Sequence, residues 1–318
     1  VTGVQTCALP ISYSYVTTIA NIFESNYDYN TSFGESVSIY NDIIAIGASS
    51  ISSSKGVVYL YKKVGDTWTY YQSLTGSNVT GSKFGGTVKI DQSGSYNIIV
   101  GNKAISGSVY LFNYDSSSGY WTQAAILNAN RTLTSSLENV NNNWPPYITA
   151  STNADGYGNS VAIYGNNIIV GAPTDTCYAE YIGSNTWHRR GAAYFYENCI
   201  GDNKNWILLN KSFGSDAILT DNYFGWDVEI YNTSSIVSSL KTNFPFSSSY
   251  LQNTLYKKFD CNPNDYIYDI IGQYVLYEKN TDNSTWNIKT TVTKKKQYGE
   301  PYSVYGFDTS LYDTTIVV

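Results

Sequence analysis

The stretch Tyr157-Gly158-Asn159-Ser160-Val161-Ala162-Ile163-Tyr164-Gly165-Asn166-Asn167-Ile168-Ile169-Val170-Gly171-Ala172-Pro173 decides how this chain folds. Val161 and Ile163 alternate with Ala162 and Tyr164, the period of a half-buried strand. Gly165-Asn166-Asn167 supplies residues that tolerate positive φ, so the chain reverses there. Ile168-Ile169-Val170 is the β-branched run of a second strand, and Gly171-Ala172-Pro173 stops it. The same unit recurs on both sides. Phe33-Gly34 leads to Ile43-Ile44-Ala45-Ile46-Gly47-Ala48, Phe84-Gly85 to Ile98-Ile99-Val100-Gly101, and Phe224-Gly225 to Ser235-Ile236-Val237. Tyr298-Gly299 reads as a fifth start, leading to Thr315-Ile316-Val317-Val318.

Each unit continues with a second pair of strands. Gly56-Val57-Val58-Tyr59-Leu60-Tyr61 runs on to Trp68, Gly107-Ser108-Val109-Tyr110-Leu111-Phe112 to Trp121, Gly191-Ala192-Ala193-Tyr194-Phe195-Tyr196 to Trp206, and Gly272-Gln273-Tyr274-Val275-Leu276-Tyr277 to Trp286. Insertions vary the spacing: residues 128–156 extend one connector, residues 174–190 the middle loop of the third unit, and residues 238–271 that of the fourth. A four-stranded sheet cannot bury both of its faces alone, so neighbouring units must stack, and such a repeat is a propeller. A β-sandwich with accidental similarity is the alternative, and four aligned copies weigh against it.

The pattern Tyr157-Gly158-x-Ser160-Val161, then Val170-Gly171-Ala172-Pro173, then Gly191-Ala192-Ala193-Tyr194-x-Tyr196 and Trp206 resembles the FG-GAP repeat, the blade of integrin-α-like β-propellers. The resemblance runs from residue 33 to 318 and is weakest in the fourth copy, where Val237-Ser238-Ser239 replaces Gly-Ala-Pro. It implies an all-β fold: a β-propeller of four-stranded antiparallel blades starting near residues 33, 84, 157, 224 and 298. About four blades are complete and others partial, a fragment of a ring of about seven. The aromatic residue before each glycine (Phe33, Phe84, Tyr157, Phe224, Tyr298) is expected to wedge between neighbouring blades, with the tryptophan packing the outer strand. Residues 12–32, with a short strand at Tyr15–Ile19, are read as the end of a preceding blade. Val1 to Ile11 resembles a translated sequencing adapter and is expected to add no strand.

Composition narrows the function. Charged residues make up 14% of the 318, and Tyr alone numbers 32. A net charge of −6 and a pI near 4.8 argue against nucleic acid, which needs clustered Lys and Arg. The run Lys294-Lys295-Lys296 is read as a solvated loop. No apolar run reaches the roughly 20 residues of a membrane span.

Catalytic signatures are sparse. Integrin-type blades often carry an Asp-x-Asp-x-Asp-Gly calcium loop. Here the equivalent turns read Tyr40-Asn41-Asp42, Asp91-Gln92-Ser93-Gly94 and Gly165-Asn166-Asn167, so neither calcium nor another metal or cofactor is expected. His188 is the single histidine, read as an exposed loop residue without partners at ligand spacing. No nucleophile elbow, phosphate loop or dinucleotide fingerprint occurs. Asp260, Asp265 and Asp269 cluster in the fourth insertion, the one feature favouring a glycan-active enzyme.

Setting Cys7 aside with the adapter leaves Cys177, Cys199 and Cys261. A strand length separates Cys177 from Cys199, whereas Cys177 and Cys261 occupy equivalent loops one blade apart. The pair Cys177–Cys261 is therefore favoured, with free thiols as the alternative. Six Asn-x-Ser/Thr sequons, at Asn30, Asn78, Asn130, Asn210, Asn232 and Asn283, fall in expected turns, connectors or strand ends, where an N-linked glycan can be carried. The sequence thus points to a secreted or cell-surface glycoprotein that binds a protein or glycan ligand through propeller loops. A structural subunit of an extracellular filament, using self-association, is the alternative reading.

Overall fold

Short alternating strands joined by tight reversals can satisfy their backbone groups only by pairing with one another. The computed structural model describes residues 17–19, 31–51, 55–77, 83–103, 107–129, 149–150, 156–181, 184–189, 191–198, 205–213, 223–239, 270–280, 282, 285–295, 309–312 and 315–317. Among the described residues there are twenty-one named elements, all β-strands.

Sixteen of them form four sheets of identical construction. Blade 1 comprises β1 (Phe33–Tyr40), β2 (Ile43–Ala48), β3 (Val57–Val64) and β4 (Thr67–Leu74). Blade 2 comprises β5 (Phe84–Ile90), β6 (Ile98–Asn102), β7 (Ser108–Asp115) and β8 (Tyr120–Asn128). After β9 (Thr149–Ala150), blade 3 uses β10 (Ser160–Tyr164), β11 (Asn167–Ala172), β14 (Ala192–Glu197) and β15 (Ile207–Ser212). Blade 4 uses β16 (Phe224–Tyr231), β17 (Ser234–Ser239), β18 (Ile270–Asn280) and β19 (Thr285–Lys295). In each the strands lie in chain order and pair antiparallel.

The bulge between third and outer strand recurs in every copy. The register slips between Leu60 and Tyr61, Leu111 and Phe112, Phe195 and Tyr196, and Leu276 and Tyr277. An extra residue there sharpens the twist that lets flat sheets fan past one another.

Each seam between blades has its own core. Ile43, Ala45, Val58, Leu60 and Leu74 of blade 1 meet Val88, Ile90, Ile98, Val100, Tyr110 and Phe112 of blade 2, with Phe84 among them. Tyr157 lies likewise between blades 2 and 3, and Phe224 between blades 3 and 4. Phe84 and Tyr157 are fully buried, each edge-on to the aromatic residue of its own third strand: Phe84 to Tyr110 at 5.2 Å and Tyr157 to Tyr194 at 5.1 Å. Burying one such ring stabilises a seam by about 2–3 kcal/mol. Phe33 is half-buried, against Tyr59, and Tyr298 lies outside the described residues.

Behind each aromatic, backbone meets backbone. A Cβ built on Gly171 would stand 2.1 Å from the Gly225 carbonyl oxygen, and one on Gly191 would stand 2.1 Å from the Phe224 carbonyl oxygen. The same approach joins Gly47 to Gly85 and Gly101 to Gly158. A hydroxyl from the first strand completes the latch: Ser36 donates to the Gly85 carbonyl at 2.8 Å, and Ser160 to the Gly225 carbonyl at 3.0 Å. The aromatic-glycine pair of one blade is therefore seated on the two small-residue positions of the blade before it.

Several details differ from the sequence expectation. Residues 174–190 are not merely a loop: β12 (Thr176–Tyr181) and β13 (Ser184–Arg189) form a hairpin that β9 extends to three strands. His188 consequently lies in a strand, directly opposite Cys177. Lys294 and Lys295 end β19 rather than lying in a loop, because its ladder with β18 continues that far. Thr17 to Ile19 form no strand, although Ile19 packs against the outer face of blade 1. Residues 1–11 and Cys261 lie outside the described residues.

The last described hairpin repeats the turn of the blades before it. Its hairpin, β20 (Ser310–Tyr312) and β21 (Thr315–Val317), pairs Tyr312 with Thr315, as Tyr40 pairs with Ile43 and Tyr231 with Ser234. Phe33, Tyr157 and Phe224 each precede that tyrosine by the same interval. Counting back from Tyr312 by that interval reaches Tyr305-Gly306, which, like the expected start at Tyr298-Gly299, lies outside the described residues.

Candidate recognition surface at the seam of the first two blades

Strand order puts the β1–β2 and β3–β4 turns of a blade at one end, and the longer connectors at the other. At the turn end, blade 2 departs from its neighbours. Blades 1, 3 and 4 reverse through two residues (Asn41-Asp42, Gly165-Asn166, Asn232-Thr233), whereas blade 2 runs from Asp91 through Asn97.

Asp91 organises that loop. Its side chain is fully buried, and its carboxylate accepts from the Ser93 backbone N–H at 2.8 Å and the Ser93 hydroxyl at 2.9 Å. It also accepts from the Ser95 hydroxyl and, across the next seam, from the Gly165 N–H at 3.1 Å. This carboxylate is a turn staple. Among the described residues no cluster of His, Cys, Asp and Glu could hold a metal ion. Charge-assisted hydrogen bonds of this kind are worth about 1.5–3 kcal/mol. Asp91→Ala is therefore expected to lower stability by about 2–3 kcal/mol and to release the loop. Thermal melting checks the first, and loss of near-UV circular dichroism from the surrounding aromatics checks the second.

The stapled loop presents Tyr96 to a continuous aromatic cluster. Tyr96 lies 5.6 Å from Tyr40 of blade 1 and 6.4 Å from Tyr114 of blade 2. Tyr114 is 4.7 Å from Trp121, which is 6.1 Å and edge-on from Tyr71, and Tyr71 stacks on Tyr120 at 5.8 Å. Tyr71 is the bulge residue of blade 1, since Leu60 pairs with Gln72 and Tyr61 with Tyr70.

Hydrogen bonds hold the rings in place. Trp121 donates its indole N–H to the Tyr96 carbonyl at 2.7 Å, Tyr71 its hydroxyl to the Gly119 carbonyl, and Asn41 its amide to the Tyr96 hydroxyl at 2.9 Å. Gln72 grips the Trp121 backbone twice, donating at 2.8 Å and accepting at 2.9 Å. Lys62 sits 5.4 Å above the Tyr71 ring and 3.8 Å from Asp42.

Trp121 is buried beneath this set, while Tyr114 is 37% and Tyr120 51% exposed. Between those two tyrosines the β7–β8 turn is capped by Asp115, which accepts from Ser117 at 2.6 Å and from the Ser118 hydroxyl at 2.8 Å. The Ser117 and Ser118 hydrogen bonds hold its carboxyl down to about 2, so it is ionised at all ordinary pH. The result is an aromatic shelf with a polar rim, Tyr114 lying on the Trp121 face of the β7–β8 hairpin and Tyr120 on the other, against Tyr71. No single local motif announced it, because its members come from four strands and a loop of two blades. The length of the Asp91–Asn97 loop was the one visible signal.

The sequence-derived sites fall elsewhere. Asn232 is exposed at the β16–β17 turn, and Asn210 is half-buried within β15, rather than at a turn or strand end. Asn30, Asn78, Asn130 and Asn283 lie outside the described residues, as do Asp260, Asp265 and Asp269. No helix among the described residues is long and apolar enough to cross a membrane.

Four-stranded antiparallel blades stacked through an aromatic-glycine latch define a β-propeller protein. Residues 148–196, spanning the first three strands of blade 3, match the model of the FG-GAP repeat, and the same latch joins the blades on either side. No curated protein matches the sequence. Among solved structures, Saccharomyces cerevisiae Sqt1 is similar with a TM-score of 0.37 and 10% identity, covering 84% of this chain and 64% of that one. The chain thus spans just under two thirds of the length of that protein.

Proposed function

We propose that this chain is a secreted or cell-surface binding module, with the aromatic shelf between blades 1 and 2 as its recognition surface. The observation that carries the reading is the pair of partly exposed rings, Tyr114 and Tyr120, in an aromatic cluster whose loop and bulge are fixed by half-buried hydrogen bonds. A surface ordered beforehand loses little entropy on binding, and Tyr, Ser, Asn and Gly are the residues that recognition loops favour. An extracellular setting accords with the FG-GAP repeat and with the six sequons. The reading involves no catalysis, metal or cofactor, and the partner is a protein or a glycan at the cell surface.

The test is an array printed with both glycans and extracellular-matrix proteins, probed with labelled protein and its Tyr114→Ser/Tyr120→Ser variant. Binding that the variant loses supports the reading. Binding that the variant keeps, or no binding at all, overturns it. Expression in a eukaryotic secretory host should add glycan mass at Asn232, read by intact-mass analysis before and after Asn232→Gln. An unchanged mass removes glycosylation there from the argument.

A second reading, self-association into a structural assembly, rests on one observation. Val37 and Ile39 of β1 are 57% and 54% exposed, whereas their counterparts Val88 and Ile90, Val161 and Ile163, and Val228 and Ile230 are all buried against a neighbouring blade. Light scattering of the wild type and of Val37→Asp/Ile39→Lys tests it. An assembly that the double variant dissolves supports self-association, and a monomeric wild type excludes it.

A further inference from the structure

We propose that Lys211 and Asp175 condense into an intramolecular isopeptide bond, a covalent cross-link inside blade 3 that is independent of the aromatic shelf. Asp175 follows β11 and is fixed by its backbone. Its N–H donates to the Ala172 carbonyl at 3.1 Å, and its carbonyl accepts from the Gly191 N–H at 3.0 Å. Lys211 stands on β15 directly opposite Tyr194 of β14. The fold thus brings three reactive groups to one point. Lys211 Nζ lies 2.9 Å from Asp175 Oδ2, and Tyr194 donates its hydroxyl to the same oxygen at 2.6 Å. The other carboxylate oxygen, Oδ1, is buried and has no hydrogen-bond partner among the described residues.

Burial separates this pair from an ordinary ion pair. Lys289 and Glu278 meet at nearly the same distance, 3.0 Å, but both are half exposed and keep their hydration. The side chains of Lys211 and Asp175 are 6% and 0% exposed. The rings of Tyr194 and Phe213 cover the ammonium, with centroids 5.0 and 4.9 Å from Nζ. Burying two charges costs hydration that their attraction only partly returns, and the unpaired Oδ1 adds to that cost. Condensation removes both charges and the unpaired oxygen together. The reacting groups are also held in contact, so no encounter step is needed.

The ammonium yields one proton to the carboxylate, which leaves a neutral amine. The nitrogen lone pair then forms the bond to Cγ, and Tyr194 stabilises the negative charge that collects on Oδ2. The carboxyl proton and a second proton from the nitrogen end on Oδ1. The Cγ–Oδ1 bond breaks with its electron pair remaining on oxygen, which departs as water. One proton stays on the amide nitrogen, and nothing is oxidised or reduced. Oδ2 becomes the amide carbonyl oxygen and keeps its hydrogen bond from Tyr194. The link closes a covalent loop that contains β12, β13 and β14.

The experiment is intact-mass analysis of the whole chain, reduced, and expressed in bacteria so that no N-glycan adds mass. Digestion under denaturing conditions and sequencing of the peptides by mass spectrometry follow. The wild type is expected to weigh one water molecule less than its sequence, with a branched peptide joining Lys211 to Asp175. Lys211→Arg keeps the positive charge but offers no condensing amine, and should show the full sequence mass. Tyr194→Phe keeps the ring and loses the hydroxyl, and should slow linkage by about tenfold or more, read as the unlinked fraction against time after synthesis. A wild type at full sequence mass overturns the proposal whatever the variants do, and leaves the two residues as a buried ion pair. So does a loss of water that Lys211→Arg retains, or a branched peptide that joins other residues. Linkage of Tyr194→Phe at the wild-type rate overturns the part given to its hydroxyl.

Discussion

Replacing Gly171 with alanine is expected to destabilise the chain by at least about 3 kcal/mol. The added carbon would stand 2.1 Å from the Gly225 carbonyl oxygen and 2.1 Å from the Ser160 hydroxyl oxygen. An ordinary contact needs more than 3.4 Å, so the backbone of blade 4 must withdraw by over an ångström. That withdrawal breaks the Ser160–Gly225 hydrogen bond and loosens the packing of Phe224. Overpacking of this kind costs about 1–3 kcal/mol before the lost bond is counted, and the backbone entropy that alanine removes from the unfolded chain offsets less than about 1. Gly65→Ala is the control. Gly65 has φ +60 but nothing within 4 Å of the new carbon, so its cost should stay near 1 kcal/mol. Denaturant melts of the two variants decide the matter: equal losses would mean that blade contact is not what requires glycine at residue 171.

Alkaline pH should unfold the protein through three buried phenols. Tyr157 donates to the Tyr196 hydroxyl at 2.8 Å, and Tyr277 shares a 2.7 Å hydrogen bond with Ser212, all of them out of contact with water. Burial pushes each of the three well above the ordinary tyrosine range. Unfolded tyrosines ionise near pH 10, while these keep their protons in the native state, so unfolding releases protons above that pH. Their stabilising effect is complete below about pH 10 and is lost as pH rises from there through the raised native values. The slope reaches about 1.4 kcal/mol per pH unit for each phenol, about 4 for the three together. Melting temperature is expected to fall steeply only above pH 10, with tyrosinate absorbance rising in a second phase that coincides with unfolding. A single smooth titration of all tyrosines in a chain that stays folded would contradict this.

The blade grammar was legible because it depends on short-range pattern: alternation, a two-residue turn, a glycine stop, and an aromatic-glycine start repeated at intervals. It stays ambiguous where two such starts compete. Tyr298-Gly299 and Tyr305-Gly306 look alike locally, and both lie outside the described residues; the second stands at the interval from Tyr312 that the other blades keep. The hairpin of β12 and β13 carried a turn signal at Gly183-Ser184, but the first two repeats have only a few residues at that point of the sequence, so the comparison between copies hid it. The aromatic shelf was illegible for a different reason. Tyr71 and Trp121 belong to different blades, and Tyr71 reaches the seam only because a bulge shifts the outer strand by one residue. A contact made at one seam alone, unlike a pattern repeated in every copy, leaves no periodic trace.

The latch at the end of blade 4 reverses the polarity of the others. Where Ser36 and Ser160 each donate a proton to the next blade, blade 4 presents Asp227, whose carboxylate accepts from both the N–H and the hydroxyl of Thr309 at 2.7 Å. Blades with interchangeable latches are chemically acceptable neighbours in any order, the condition under which tandem repeats misassemble during folding. A blade ending in an acceptor repels a successor that offers a carbonyl in the same place and admits one that brings donors. Asp227 thus gives the array an address: of the blades described, the hairpin that follows Thr309 is the one chemically marked to come next.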